Sequence, residues 1–256
     1  MERRRLADDL YALVSTDLEQ RGFLAVFTER TGGASEGPYA SLDLALHTGD
    51  APEAVAENRD RVAGALGTGA PVVPEQVHGA RLVRVGGSRA GAGWASPDPV
   101  PAADGLLATR PGLPLAILTA DCLPVALASP AEGLVAAVHA GWRGLAAGIL
   151  EQAVARFHRP GGLRVVIGPA IGPCHYEVGE DVALAVAAGS DAGAVTERRG
   201  GRLYLDLPGT AARVLRRAGV RHLDRAEECT ACEAARFFSH RRDGVTGRQV
   251  MVAMRM

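Results

Sequence analysis

The sequence predicts an α/β (α+β) fold, a single-domain layered sandwich with a mixed β-sheet and flanking helices. Continuous apolar runs of strand length alternate with longer helical segments, as expected for strands that are buried on both faces. No internal repeat interrupts the 256 residues, a length that can form one undivided core. We therefore assign residues 1–256 to one catalytic domain, with 1–20 as an N-terminal extension.

Strands are predicted where apolar runs are bounded by Gly, Pro or polar turn residues. In chain order these runs are 23–28, 81–85, 114–118, 125–128, 134–138, 163–167, 202–205 and 249–254.

Helices are expected at 51–66, 144–158, 179–188 and 208–218. Asp50 is the expected N-cap of the first helix, and Asp206 followed by Pro208 suits the start of the last. The Gly- and Pro-rich stretch 86–103 lacks periodicity and is expected to be an exposed loop within the domain.

The composition argues against several kinds of partner. The 28 Lys and Arg residues nearly balance 29 Asp and Glu, so the net charge of −1 favours neither nucleic acid nor an anionic membrane. No apolar run approaches the roughly 20 residues that span a bilayer, and the N-terminus lacks the apolar core of a secretory signal. Four Cys residues do not suggest a disulfide framework, so we expect a cytoplasmic location.

Three residues that close apolar segments suggest a catalytic metal site. Cys122 and His139 each end an apolar run, and His78 lies in EQVHG after a short one. Two imidazoles and one thiolate would leave a fourth coordination position open, which is the pattern of a catalytic zinc. The alternative is that Cys122 is a small buried hydrophobe and that both histidines are satisfied loop residues. Spacing alone leaves both interpretations open.

Eight motifs follow one another from about residue 23 to the C-terminus: FTERTGGASEGPYASLDLALHTGD, PEQVHG, ADGLLAT, TADCLPV, AVHAGWRG, IGPAIGPCHYEVG, CT and FFSHRRDGVTGRQ. In this order they resemble the YfiH/YlmD family, also called the laccase-domain or multicopper polyphenol oxidoreductase family. The resemblance implies a purine nucleoside phosphorylase that converts adenosine, inosine and methylthioadenosine with inorganic phosphate to free base and ribose 1-phosphate. It also implies adenosine deaminase activity and a zinc site at His78, Cys122 and His139, with copper as another occupant.

Three further residues are candidates for binding substrate or phosphate. Arg143 follows a strand in HAGWRG, where a helix N-terminus and a permanently charged guanidinium would suit phosphate, although it could instead pair with a surface carboxylate. Arg59 lies in a charge run on the first predicted helix, and such a run usually faces solvent. His47 lies in the turn LALHTGD. Arg59 and His47 match family positions, so we expect both to reach the pocket.

Two other classes of function stay open. A laccase needs several copper ions and more imidazoles than seven His without a His-x-His pair provide, although copper could occupy the single His2Cys site. Alternatively, Cys122 is the nucleophile of a cysteine hydrolase, with His139 as its base.

The remaining polar residues are expected to support the structure. Cys229 and Cys232 form a C-x-x-C without a second pair at zinc-knuckle spacing, so we expect a structural or incidental role. His175 is not expected to be a ligand. Asp104 and Asp121 are expected to cap turns and orient loops, and Asp121 could also support Cys122.

Overall fold

The computed structural model describes residues 1–190 and 192–256. Its strands, β1 to β14, span Glu2–Ala7, Leu10–Val14, Phe23–Thr28, Leu82–Arg84, Gly105–Ala108, Leu115–Thr119, Leu123–Ser129, Leu134–Ala140, Arg164–Ile167, Glu177–Val178, Thr196–Arg199, Arg202–Leu205, His222–Arg225 and Gln249–Arg255. Its α-helices, α1 to α7, span Thr16–Glu19, Pro52–Leu66, Trp142–Ala146, Ile149–Val154, Glu180–Ala188, Leu207–Arg217 and His240–Asp243. No helix within the described ranges is both long and apolar enough to cross a membrane.

The described residues form three sheets. One sheet has the order β1-β2-β3-β14-β6 and is antiparallel throughout. The second has the order β13-β9-β7-β8-β5-β4, with antiparallel pairs at its centre and a parallel pair at each edge. A small antiparallel sheet has the order β10-β12-β11. This mixed α+β architecture with few helices confirms the predicted fold class.

The two large sheets pack face to face, and helices cover their outer faces. Along β14, Met251 and Ala253 point into the core shared with the second sheet, whereas Val252 packs on the other side with Val62 of α2. On the outer face of the second sheet, Leu127 packs in one cluster with residues of α4 and α6. Burial of each such large aliphatic side chain contributes about 1.5–3 kcal/mol. Alternate residues along the strands therefore face either the core between the sheets or the helices outside them, which gives four layers: helix, sheet, sheet and helix.

Each predicted strand overlaps an observed one, but one predicted helix is wrong. The segment 144–158 is divided because Gly148 adopts a left-handed conformation with φ of 73°, between α3 and α4. Asp50 is also not the N-cap of α2: Ala51 holds that position, and no side chain caps it. Asp206 is the N-cap of α6, as predicted, and its carboxylate accepts the N–H of Gly209.

Two stretches that were expected to be peripheral are part of the packed structure. Residues 1–20 supply β1 and β2, and β2 pairs with β3 in the five-stranded sheet. The stretch 86–103 is not wholly exposed, since Trp94 is buried in the cluster that also contains Val62. β2 is itself a short apolar run, LYALV, that the assignment of 1–20 as an extension overlooked, whereas Gly and Pro residues surround Trp94 and conceal its burial.

Candidate active site

Strand register brings the predicted ligands to one end of the six-stranded sheet. β5 pairs with β8 with Gly105 opposite Val138, so Asp104 lies beside His139. β7 pairs with the other edge of β8, and Cys122 immediately precedes β7 at the same end. Residues far apart in sequence therefore become neighbours because three antiparallel strands begin or end together.

A turn held by Asp104 adds His78 to this group. The buried carboxylate of Asp104 accepts the backbone N–H of His78 at 2.9 Å and that of Gly79 at 2.7 Å. Gln76 locks the same loop to β6, because its amide both donates to and accepts from the backbone of Leu118. His78 has a φ of 60°, a conformation that a residue with a Cβ rarely adopts. These hydrogen bonds hold the strained turn in place.

The three predicted ligands converge. The donor atoms of His78, Cys122 and His139 all lie within 4.8 Å of one another, and Cys122 Sγ is 3.9 Å from His78 Nε2. His139 Nδ1 lies 2.8 Å from Asp104 Oδ1, so its N–H donates to the carboxylate and Nε2 stays available for a ligand. A Cβ at Gly141 would lie 3.0 Å from Cys122 Sγ and 3.1 Å from His78 Cδ2, so a side chain there would crowd the cluster.

The turn before Cys122 is also strained and firmly held. Asp121 has a φ of 92°. Its carboxylate accepts the hydroxyl of Thr230 at 2.6 Å and the backbone N–H of Arg241 at 2.7 Å. Asp121 thus orients loops, as predicted, and supports Cys122 through the backbone. The hydrogen bonds of Asp104 likewise confirm its expected role in orienting a loop.

The donor cluster polarises its own members. Burial alone would raise the pKa of Cys122, but the charge of His139 and hydrogen bonds with His139 and His78 lower it to about 6. Burial would lower the pKa of His139, but the Cys122 thiolate and Asp104 raise it. Without a metal, Cys122 and His139 therefore form a thiolate–imidazolium pair at neutral pH. A metal would displace the proton from this pair.

All six predicted site residues line one cavity of about 730 Å³, namely His47, Arg59, His78, Cys122, His139 and Arg143. Residues that the sequence interpretation missed also line it, including Trp142, Tyr176, Arg241 and Arg248. These arginines and Tyr176 lie in the motifs CHYEVG and FFSHRRDGVTGRQ, which were the only sequence signal for them.

Arg59 and His47 occupy different settings within the cavity wall. Arg59 is only 4% exposed, so it does not face solvent as residues of a helical charge run usually do. Its guanidinium donates to the carbonyls of Leu44, Gly93 and Trp94, and burial lowers its pKa to about 10. Arg59 thus braces the wall. His47 is exposed, although partial burial of its ring and the charge of nearby Arg248 lower its pKa.

Arg143 is exposed at the cavity and stacks on Trp142, with its guanidinium carbon 4.4 Å from the ring centroid. It forms no salt bridge within the described ranges, so the predicted alternative of a surface carboxylate partner is not observed. A helix N-terminus does lie here, because α3 begins at Trp142 with Gly141 as its N-cap, but α3 has only five residues and is not the long helix that was expected.

Fold and site together define a layered α+β protein with a His2Cys cluster in a cation-lined cavity. The family model described as "Multi-copper polyphenol oxidoreductase laccase" matches residues 24–256. The chain belongs to this family, which confirms the resemblance seen in its motifs.

The similarity to known proteins extends over nearly the whole chain. "Purine nucleoside phosphorylase YfiH" of Shigella flexneri is 41% identical over 89% of this chain and 92% of its own. "Purine nucleoside phosphorylase YlmD" of Geobacillus stearothermophilus is 41% identical over 90% of this chain and 89% of its own. The crystal structure of YlmD from Geobacillus stearothermophilus superposes with a TM-score of 0.92 and 38% identity, covering 99% of this chain and 98% of that one.

Proposed function

We propose that this protein is a metal-dependent purine nucleoside phosphorylase that acts on adenosine, inosine and methylthioadenosine, with adenosine deaminase as a second activity. The observation that supports it most is that one cavity holds both a His2Cys donor cluster and several arginines. The names of the similar proteins agree with this activity. Its partners would be purine nucleosides and inorganic phosphate, and its four free cysteines suit the expected cytoplasmic location.

The donor set fits zinc. One thiol with a lowered pKa and two imidazoles would bind the ion, and the fourth position would face the cavity. Asp104 orients His139 and, through the backbone, His78, so the ligands are arranged before any ion arrives. Zinc in such a site supplies Lewis-acid chemistry and activates water at neutral pH. Copper is the other ion that these donors accept.

The arginines fit the phosphate that phosphorolysis requires. Within the described residues, none of Arg143, Arg241 and Arg248 forms a salt bridge. Partial burial leaves the charge of Arg248 incompletely solvated and lowers its pKa. An anion in the cavity would offset that cost. The arginines would hold phosphate for attack on the sugar carbon as the bond from that carbon to the purine nitrogen breaks.

A cysteine hydrolase is the second candidate, because Cys122, His139 and Asp104 are arranged as nucleophile, base and orienting carboxylate. The metal proposal accounts for one more feature, since His78 also directs Nε2 at the same sulfur, at 3.9 Å. A nucleophile needs only one imidazole.

Product analysis with defined metal content tests these candidates. Protein purified without added metal is stripped with chelator and assayed on adenosine, with and without phosphate, before and after addition of zinc or copper. We expect zinc to restore the formation of adenine and ribose 1-phosphate only when phosphate is present. Zinc should restore the formation of inosine even when phosphate is absent. Full turnover by the stripped protein would overturn metal dependence. Oxygen uptake with a phenol, without any nucleoside turnover, would favour a laccase.

A further inference from the structure

A second group of metal-binding side chains lies outside the cavity. Cys174 and His175 follow β9, and Cys229 and Cys232 follow β13. Their donor atoms all lie within 4.8 Å of one another. The C-x-x-C thus has the partner pair that its sequence neighbourhood lacks, supplied by an adjacent Cys-His more than 50 residues upstream. None of the four residues lines the cavity described above.

The distances suit tetrahedral coordination. Cys174 Sγ lies 3.4 Å from Cys232 Sγ, and Cys232 Sγ lies 3.3 Å from His175 Nδ1. Around a tetrahedral zinc, bonds of about 2.3 Å to sulfur and 2.0 Å to nitrogen place the donor atoms about 3.5–3.8 Å apart. A disulfide instead requires the sulfurs to lie about 2.05 Å apart. Small movements of exposed side chains would complete the first arrangement.

The backbone around Cys229 is already arranged for a thiolate. The N–H of Gly172 donates to Cys229 Sγ at 3.2 Å. The N–H of Thr230 donates to the carbonyl of Ala170 at 3.1 Å, which holds the two segments side by side. The C-x-x-C itself is a tight turn, because the N–H of Cys232 donates to the carbonyl of Cys229. Cys229 is buried, so one ligand of the group is fixed in the core while the other three reach it from the surface.

We propose that Cys174, His175, Cys229 and Cys232 form a second metal site, a closed Cys3His site for zinc with a structural role. Four protein donors leave no open position for substrate, which distinguishes this site from the three-donor cluster in the cavity.

The second site would fix one wall of the cavity. Tyr176, next to His175, lines the cavity, and so does Arg241, which follows the C-x-x-C segment. Arg241 donates to the carbonyl of Glu177 at 2.7 Å, so the two segments meet again at the wall. Zinc would tie the segments together, because binding energy at such a site adds to folding energy.

Zinc stoichiometry tests the proposal. The full-length protein is reduced, equilibrated with zinc, desalted and analysed for zinc per chain, alongside Cys232→Ser, Cys122→Ser and the double variant. We expect two zinc ions per chain in the wild type, one in each single variant and none in the double variant. His175→Asn should lose one ion, whereas its control, His158→Asn, changes an exposed histidine outside the group and should retain both.

A cobalt spectrum tests the same site without altering it. Cobalt bound to the Cys122→Ser protein should show the intense thiolate charge-transfer and visible bands of tetrahedral coordination, since only Cys174, Cys229 and Cys232 remain as sulfur donors. Equal zinc content in the wild type and Cys232→Ser would overturn the proposal. A reduced Cys122→Ser protein that binds no cobalt would also overturn it. A disulfide between Cys174 and Cys232 would do the same if the wild type, once reduced, still binds only one zinc per chain. If the wild type still binds one zinc that Cys122→Ser lacks, each of these results leaves the proposed function intact.

Discussion

Asp104 Oδ1 lies 2.8 Å from His139 Nδ1, and both side chains are buried at the end of the six-stranded sheet. The same carboxylate accepts the backbone N–H groups of His78 and Gly79. One buried carboxylate therefore sets the position of both proposed imidazole ligands. The arrangement also leaves the Nε2 atom of His139 for the metal.

Replacing Asp104 should weaken metal binding although no ligand is lost. In Asp104→Asn an amide NH2 would replace one of the carboxylate oxygens that accept N–H groups. A donor would then face a donor, so the His78 turn or the His139 ring would lose its alignment. We expect zinc affinity, measured by competition with a chromophoric chelator, to fall about 10–100-fold. Asp60→Asn changes an exposed carboxylate and should bind zinc normally. Wild-type affinity in Asp104→Asn would show that the carboxylate does not position the ligands.

Cys122 should be an unusually reactive thiol in the metal-free protein. Its pKa is lowered to about 6, because the histidines outweigh the effect of burial. Its alkylation rate should therefore rise through about pH 6 and then level off, whereas an ordinary thiol is half ionised only at about pH 8.5. Peptide mapping after pulses of iodoacetamide measures the alkylation of Cys122 separately from that of the other three cysteines. Bound zinc should slow the alkylation of Cys122. A midpoint near that of an ordinary thiol would contradict the thiolate–imidazolium pair.

Arg143→Ala should separate the two proposed activities. If the guanidinium binds phosphate, its loss removes a charge-assisted hydrogen bond that contributes about 1.5–3 kcal/mol, so the KM for phosphate should rise at least about tenfold. Deamination uses water and should change little. Arg156→Ala removes an exposed arginine outside the cavity and serves as the control. Equal losses in both reactions would assign Arg143 to general support of the site.

Glu29→Gln should destabilise the fold without touching the cavity. The buried Glu29 carboxylate accepts hydrogen bonds from Arg3 at 2.8 Å and 2.9 Å and from Arg236 at 2.8 Å. Burial raises its pKa, but the two guanidiniums outweigh this and hold the pKa below its usual range. We expect the substitution to cost about 1.5–3 kcal/mol at pH 7 in urea denaturation.

The pH dependence of that cost has a definite sign. A carboxyl with a depressed folded-state pKa stabilises the protein above its unfolded pKa of about 4.3, and the contribution is lost as pH falls through the folded pKa. The wild type and Glu29→Gln should therefore converge in stability in acid. Glu57→Gln, which breaks an exposed pair with Arg61, should cost no more than about 0.5 kcal/mol. A difference for Glu29→Gln that persists at low pH would contradict the assigned pKa direction.

The sequence predicted the main strands, because apolar runs bounded by turn residues are a local signal. For His78, Cys122 and His139 the local signals left a shared site open, and the family resemblance predicted it. Gly148 divides a helix that periodicity alone made continuous. The role of Asp104 depends on the pairing of β5 with β8, which no local pattern specifies. The neighbourhood of His175 and Cys232 likewise arises from contact between distant segments. The sequence thus located the three proposed metal ligands but not the long-range contacts that orient them.

The most direct test of the account is to measure metal content and nucleoside turnover on one preparation of Cys122→Ala, with circular dichroism to verify the fold. The account predicts that the variant loses one metal ion per chain relative to the wild type, and that phosphorolysis and deamination fall to background together. A folded variant that keeps the wild-type metal content but loses turnover would contradict it, and would identify Cys122 as a nucleophile.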